Sequence, residues 1–176
     1  MAKLIVLSGV PGSGKSHFCD AFRKAMGGHV YVVSSDLLRY EVTGNQQNMD
    51  EDKLVWKLFY GMAKVYAMDK DGVCILDATN SLCKYRIGII EPFKKFYDEI
   101  HLVAFDIDVD MVRNQNLNRL FPVKPEALEH YLDVYEKPNE KDEEFFDSVT
   151  IIKDRNIQEV IDKFIVDIYK KEPSVN

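Results

Sequence analysis

Short apolar runs alternate with longer amphipathic stretches along the 176 residues of the chain. Lys3–Ser8 (KLIVLS) carries four consecutive apolar residues, the pattern of a strand covered on both faces. Similar runs recur at 29–34 (HVYVVS), Val73–Asp77 (VCILD), 100–106 (IHLVAFD) and 149–153 (VTIIK). The intervening stretches have helical spacing. Residues 17–26 predict a helix stopped by Gly27 and Gly28, and Ser35 or Asp36 caps a short one that runs to about Thr43 before Gly44 and Asn45. Residues 50–69 predict a long helix with Leu54, Leu58, Met62, Val65 and Tyr66 on its inner face. Residues 85–97 read as a helix kinked or restarted at Pro92. Helices at 109–119 and 126–135 flank a break at 122–125, and Ile157–Tyr169 is a last amphipathic helix. Strands alternating with helices imply right-handed parallel crossovers and an α/β, three-layer sandwich around a five-stranded, mostly parallel sheet. With no repeat, linker or low-complexity tract, one domain is expected over 1–176, with a small helical lid at about 113–128.

The residues between the first strand and the first helix carry the clearest chemistry. Gly9, Val10, Pro11, Gly12, Ser13, Gly14, Lys15 and Ser16 match G-x-x-x-x-G-K-[ST] at every defined position. The glycines let successive backbone N–H groups turn inward on phosphate oxygens, and the following helix adds its N-terminal dipole. Lys15 is placed to bridge β- and γ-phosphates, and the Ser16 hydroxyl to hold Mg²⁺. The fold class is therefore a P-loop NTPase. A GTPase would need a base-reading N-K-x-D, and a dinucleotide fold G-x-G-x-x-G. Neither occurs here, which leaves ATP, or another nucleoside triphosphate, as phosphate donor.

In a parallel sheet, ligands bind beyond the C-terminal strand ends. The second strand ends in Ser34, Ser35 and Asp36, followed by Arg39. Asp36 can take the proton of an attacking hydroxyl, and Arg39 can hold an acceptor phosphate. The plainer alternative makes Asp36 an N-cap and Arg39 a surface charge. The third strand ends in Asp77, Ala78, Thr79 and Asn80. Asp77 is the candidate second metal ligand and Thr79 an acceptor contact, against the alternative of a capping turn. Arg86, on the next helix, joins the acceptor set, although spacing alone lets it face the site or the solvent. Arg113 and Arg119 flank the break before Pro122, where a mobile arginine over the γ-phosphate would stabilise transferred charge. Asp106, Ile107 and Asp108 follow the fourth strand and read as a strand end.

This combination resembles the P-loop kinase family of polynucleotide 5′-hydroxyl kinases and their relatives. The likeness covers roughly the first 147 residues and is tightest over the first 40. It implies that Asp36 is the general base, that Arg39 binds the acceptor's 3′-phosphate, that Thr79 is an acceptor-side threonine, and that Arg119, before Pro125, is the lid arginine. The segment from Lys137 and Pro138 to Phe146 and Asp147 is similar to a stretch shared by these kinases. Departures are Leu37 in place of a second acid, Gln115 in place of a second lid arginine, and Phe145 in place of a glycine.

Charge then separates the acceptor classes. The net charge of -6 opposes a basic nucleic-acid coat. It is concentrated, however: residues 133–147 hold 7 acids and 2 bases, while residues 1–132 hold 17 acids and 16 bases. A 5′-hydroxyl nucleic-acid end therefore stays the leading acceptor. A small hydroxyl compound is the alternative, and a nucleotide-binding regulator without transfer activity is a third. Lys53, Lys57, Tyr60 and Lys64 share a helix face that is expected to be solvated. Three cysteines make no disulfide framework or zinc pair, and no apolar run is long enough to span a bilayer. The expected setting is a reduced, cytoplasmic one with no membrane partner.

Overall fold

The computed structural model describes residues 1–153 and 157–169; residues 154–156 and 170–176 lie outside the described residues. Five strands, β1 (Lys3–Ser8), β2 (Val30–Ser34), β3 (Val73–Asp77), β4 (Glu99–Phe105) and β5 (Ser148–Ile152), form one sheet in the order β2-β3-β1-β4-β5. All four pairings are parallel. The sheet is thus wholly parallel where mostly parallel was expected. The register sets Ser34 beside Asp77 and Ser8 beside Ala104, so four chain exits share one edge.

Alternation along β1 divides the core. Leu4 and Val6 face one side, under α2 (Ser35–Thr43), α3 (Asp52–Tyr66) and α4 (Cys83–Ile90). Ile5 and Leu7 face the other, under α1 (Lys15–Met26) and α8 (Ile157–Tyr169), where Phe18, Phe22, Phe105 and Phe164 pack edge to face or stacked. A third, small cluster of Val10, Val112, Val123 and Leu128 seats α5 (Val109–Leu117) and α6 (Pro125–Val134) on the phosphate loop. The expected lid segment falls across these two helices and the loop between them. No helix among the described residues is long and apolar enough to cross a membrane.

Two helices differ from the sequence expectation. In α3 the buried residues are Val55, Phe59 and Ala63; Met62 and Tyr66 pack against that core as expected, while Leu54, Leu58 and Val65 are exposed. The rotation is set by a polar anchor. Asp52 accepts from Arg39 Nη2 at 2.7 Å and from Trp56 Nε1 at 3.0 Å, which turns that side of α3 toward α2. The residues three, seven and eleven positions on then meet the sheet. The stretch over 85–97, expected as a helix kinked or restarted at Pro92, is helical only to Ile90 and goes on in hydrogen-bonded turns around Pro92, which has no N–H to continue the ladder.

The acidic segment contains a helix that hydrophobic spacing did not announce, α7 (Glu140–Phe145). Its start is a capping box: Asn139 Oδ1 accepts from the Lys141 N–H, and Asp142 accepts from the Asn139 N–H. Asp142 is also the partner of Arg86, at 2.7 and 2.8 Å through both carboxylate oxygens. Both side chains are fully buried. Removing one partner of such a pair strands a charge in the core. Arg86→Met is expected to lower unfolding free energy by about 3–5 kcal/mol in urea denaturation, and Arg86→Met with Asp142→Leu to recover most of the loss.

Candidate active site

The phosphate loop leaves β1 and enters α1 with Gly12 at φ 83° and Gly14 at φ 101°, conformations that a side chain resists. At Gly12 the reason is also steric, because a Cβ there would sit 2.7 Å from the Val112 carbonyl oxygen on α5. The lid helix therefore rests directly on the loop backbone. Lys15 folds back and donates to the Gly9 and Val10 carbonyls at 2.8 and 3.1 Å. Burial lowers its proton affinity below that of an ordinary lysine, and the charges of Asp77 and Asp36 oppose the shift. Ser13 Oγ is buried without a hydrogen-bond partner, a donor held ready inside the loop. This cradle fits a chain of phosphates, for which no other group competes.

The start of the loop is tied to the exit of β3. Gly9 N–H donates to Thr79 O at 2.9 Å, Ser8 Oγ to Asn80 O at 2.9 Å, and the Asn80 amide to Leu7 O at 2.8 Å. Asn80 holds a positive φ of 44° to do so. It is a positioning residue.

A cavity of about 540 Å³ opens over the strand exits. Its wall includes Lys15, Ser16, Asp36, Arg39, Asp77, Thr79 and Arg119, which the sequence proposed separately. Pro11, Gly12 and Gly14 line it too, whereas Gly9 and Ser13 belong to the loop interior. Asp36 is not the cap of α2. Ser34 Oγ takes that role by accepting from the Leu37 N–H, so the Asp36 carboxylate is free to project into the cavity. There it meets Arg39 Nη1 at 3.3 Å and Arg119 Nη2 at 3.2 Å. Arg39 is only 6% exposed, which disposes of the surface-charge alternative. Asp77 is buried at the end of β3 and caps no helix. Burial raises its pKa above the usual carboxylate range, and Lys15 opposes the rise.

Arg119 reaches the cavity because Asn116 closes the loop that carries it. The buried Asn116 amide donates to Val123 O at 2.8 Å and accepts from the Val123 N–H at 3.0 Å. Nothing in the sequence set Asn116 apart from other polar residues near a helix end, and its burial emerges only in the fold. Arg113 instead stays at the surface, forked onto Glu129 at 2.8 Å through two nitrogens. Asp106 and Asp108 are a strand end and a helix cap: Asp106 pairs with Lys137, and Asp108 accepts from the N–H groups of Asp110 and Met111.

Arg86 requires correction. It is neither at the acceptor site nor in solvent, being 0% exposed and locked on Asp142. It also donates to the carbonyls of Asn80, Ser81 and Glu136 at 3.4, 3.4 and 2.8 Å. Its task is to support the β3 exit from beneath. The acidic segment that carries most of the net charge likewise contributes no residue to the cavity wall. Glu136, Asp142 and Asp147 accept internal hydrogen bonds instead.

Comparison with known proteins agrees with this fold. Protein kti12 of Schizosaccharomyces pombe is 22% identical in a 148-residue alignment that covers 77% of this chain. The match spans only 52% of that protein, so the chain corresponds to about half of its relative. The structure of Chaetomium thermophilum Kti12 in complex with ADP-AlF3 superposes with a TM-score of 0.63 at 18% identity, over 93% of this chain and 97% of the other. A fungal RNA kinase gives 0.67 at 16% identity, over 99% and 92%. The family model described as an AAA domain matches residues 4–138. That match covers well over half of the sequence, and the chain accordingly belongs to this family of P-loop, kinase-like ATP-binding domains.

Proposed function

We propose that the chain is an ATP-dependent phosphotransferase that moves a γ-phosphate to an acceptor hydroxyl, with the 5′-hydroxyl end of a polynucleotide as the acceptor class. The observation that carries this is the placement of Asp36. It is released from capping, lies in the same cavity as Lys15, and is bracketed by two arginines from different elements. A carboxylate so placed accepts the proton of an incoming hydroxyl. Arg119, on the lid loop, is free to exchange Asp36 for the transferring phosphoryl group, whose charge it then stabilises. Thr79 presents a hydroxyl to the acceptor from the β3 exit. The likeness to an RNA kinase supports a nucleic-acid acceptor, and the near-neutral charge of residues 1–132 does not oppose one.

Ser16 and Asp77 are the residues that would hold Mg²⁺. They are hard oxygen donors at the phosphate loop, and Mg²⁺ commonly takes one or two protein oxygens and completes its shell with phosphates and water. Bound there, the ion would neutralise part of the charge on the donor phosphates.

One observation favours a second reading, transfer to a small uncharged hydroxyl compound. The Arg39 guanidinium is already engaged by Asp52 through Nε and Nη2, at 3.2 and 2.7 Å. An acceptor phosphate has to compete with that carboxylate. A non-catalytic regulator is the third reading, and transfer to any acceptor in a single turnover removes it.

Labelled ATP offered with 5′-hydroxyl oligonucleotides and a nucleoside panel separates the first two; label on nucleosides alone would defeat the polynucleotide assignment. Asp36→Asn is expected to reduce turnover by roughly 100- to 10,000-fold while nucleotide binding survives. A variant that retained wild-type turnover would remove Asp36 as the base. Gly12→Ala is expected to weaken binding of a fluorescent ATP analogue by at least about 10-fold, because the added methyl meets the α5 backbone, with little change in far-ultraviolet circular dichroism.

A further inference from the structure

Beside the charged cavity lies a patch of exposed apolar side chains. Leu37 and Met49 line the cavity and are 56% and 57% exposed. Tyr40, one turn beyond Asp36 on α2, is 45% exposed, and Leu120 at the tip of the lid loop is 87% exposed. Tyr40 meets Phe121 of that loop with ring centroids 5.4 Å apart and planes at 45°. The ring pair and the Arg119–Asp36 ion pair therefore join the same two elements, α2 and the lid loop, side by side.

Soluble proteins place aromatic and aliphatic side chains together at the edge of a polar cavity where a ligand covers them. The cationic neighbour of Tyr40 in sequence, Arg39, is paired with Asp36 and Asp52, so in the ligand-free site apolar side chains rather than a bare charge define this edge. The faces of Tyr40 and Phe121 suit a planar ring. Positions 36 and 40 are four residues apart on one helix and so lie on one face, about 6 Å apart. That interval is comparable with the distance between the 5′ oxygen of a nucleoside and its base.

We propose that Tyr40 and Phe121, flanked by Leu37 and Met49, form an acceptor subsite that takes the terminal nucleobase of a 5′-hydroxyl polynucleotide by stacking. The subsite rests on the assignment of Asp36 to the acceptor hydroxyl, and it makes base recognition a matter of ring contact rather than base-edge hydrogen bonding. It is accordingly tolerant of base identity. The base enters by displacing Phe121 from Tyr40, a motion that also draws Arg119 off Asp36. Acceptor binding and release of the carboxylate are then one event.

The test compares two short single strands with a 3′ fluorophore, identical except that one has an abasic 5′-terminal residue. Anisotropy titrations in the presence of a non-hydrolysable ATP analogue measure binding without transfer. The intact end is expected to bind about 10-fold more tightly. Tyr40→Ala and Phe121→Ala are expected to abolish the difference, and Tyr40→Phe to keep it. Binding of the fluorescent ATP analogue verifies that each variant is folded. Equal affinity of the wild-type protein for the two ends, or no binding of either, overturns the subsite. Discrimination in binding without transfer to either strand keeps the subsite and removes the transfer reading. Transfer to both strands with equal KM keeps the transfer reading and removes the subsite.

Discussion

The exits of β1 and β3 are sewn together by three hydrogen bonds, and the rest of the cavity hangs from that seam. Neighbouring parallel strands diverge once their ladder ends, so a loop leaving β1 has no inherent direction. Here Gly9 donates to the Thr79 carbonyl while Ser8 and Asn80 exchange side-chain contacts with the opposite backbone. Asn80 tolerates the left-handed conformation this demands better than most residues would. Beneath it the Arg86 guanidinium, balanced by Asp142, donates to the Asn80 and Ser81 carbonyls. A buried ion pair contributes little net stability over an apolar replacement. Its value here is directional, since it holds the backbone that aims the phosphate loop.

Charges in the ligand-free cavity are matched within it. Lys15 lies among Asp77 and Asp36, Asp36 touches Arg39 and Arg119, and Arg39 turns its other edge to Asp52. In the proposed transfer, phosphates would replace carbonyls at Lys15 and a phosphoryl group would replace a carboxylate at Arg119. Those internal contacts hold the site in shape. The acidic segment takes no part, because its key carboxylates are spent on the capping of α7 and on the packing of α4 against it.

The sequence made the scaffold legible where pattern and chemistry coincide. The strand runs at Lys3–Ser8 and Val73–Asp77 reappear with the same bounds, and the phosphate loop sits between β1 and α1. Asp36, Arg39, Asp77 and Thr79 could be placed on one cavity wall from sequence because the exits of β2 and β3 converge, whereas Arg119 arrives there on the lid loop. What was not legible depended on a partner distant in sequence. The inner face of α3 was misread because hydrophobicity alone leaves the rotation of a helix with Leu54, Leu58 and Phe59 ambiguous, and the deciding contact is Asp52 with Arg39. Arg86 was misplaced because Asp142, 56 residues later, lies on a helix with no apolar signature. Asn116 looked like any polar residue near a helix end.

That Asn116 clasp has an evolutionary consequence. A single side-chain amide gathers both ends of the stretch between α5 and Val123, so the tip that carries Arg119, Leu120 and Phe121 is mechanically insulated from the helices on either side. Substitutions within the tip alter what the cavity presents to an incoming molecule and leave the seat of α5 on Gly12 undisturbed. The tip behaves as an exchangeable cassette. A lineage built on this scaffold can therefore change what the cavity mouth presents by rewriting a handful of residues, without disturbing the seat of α5 on the phosphate loop.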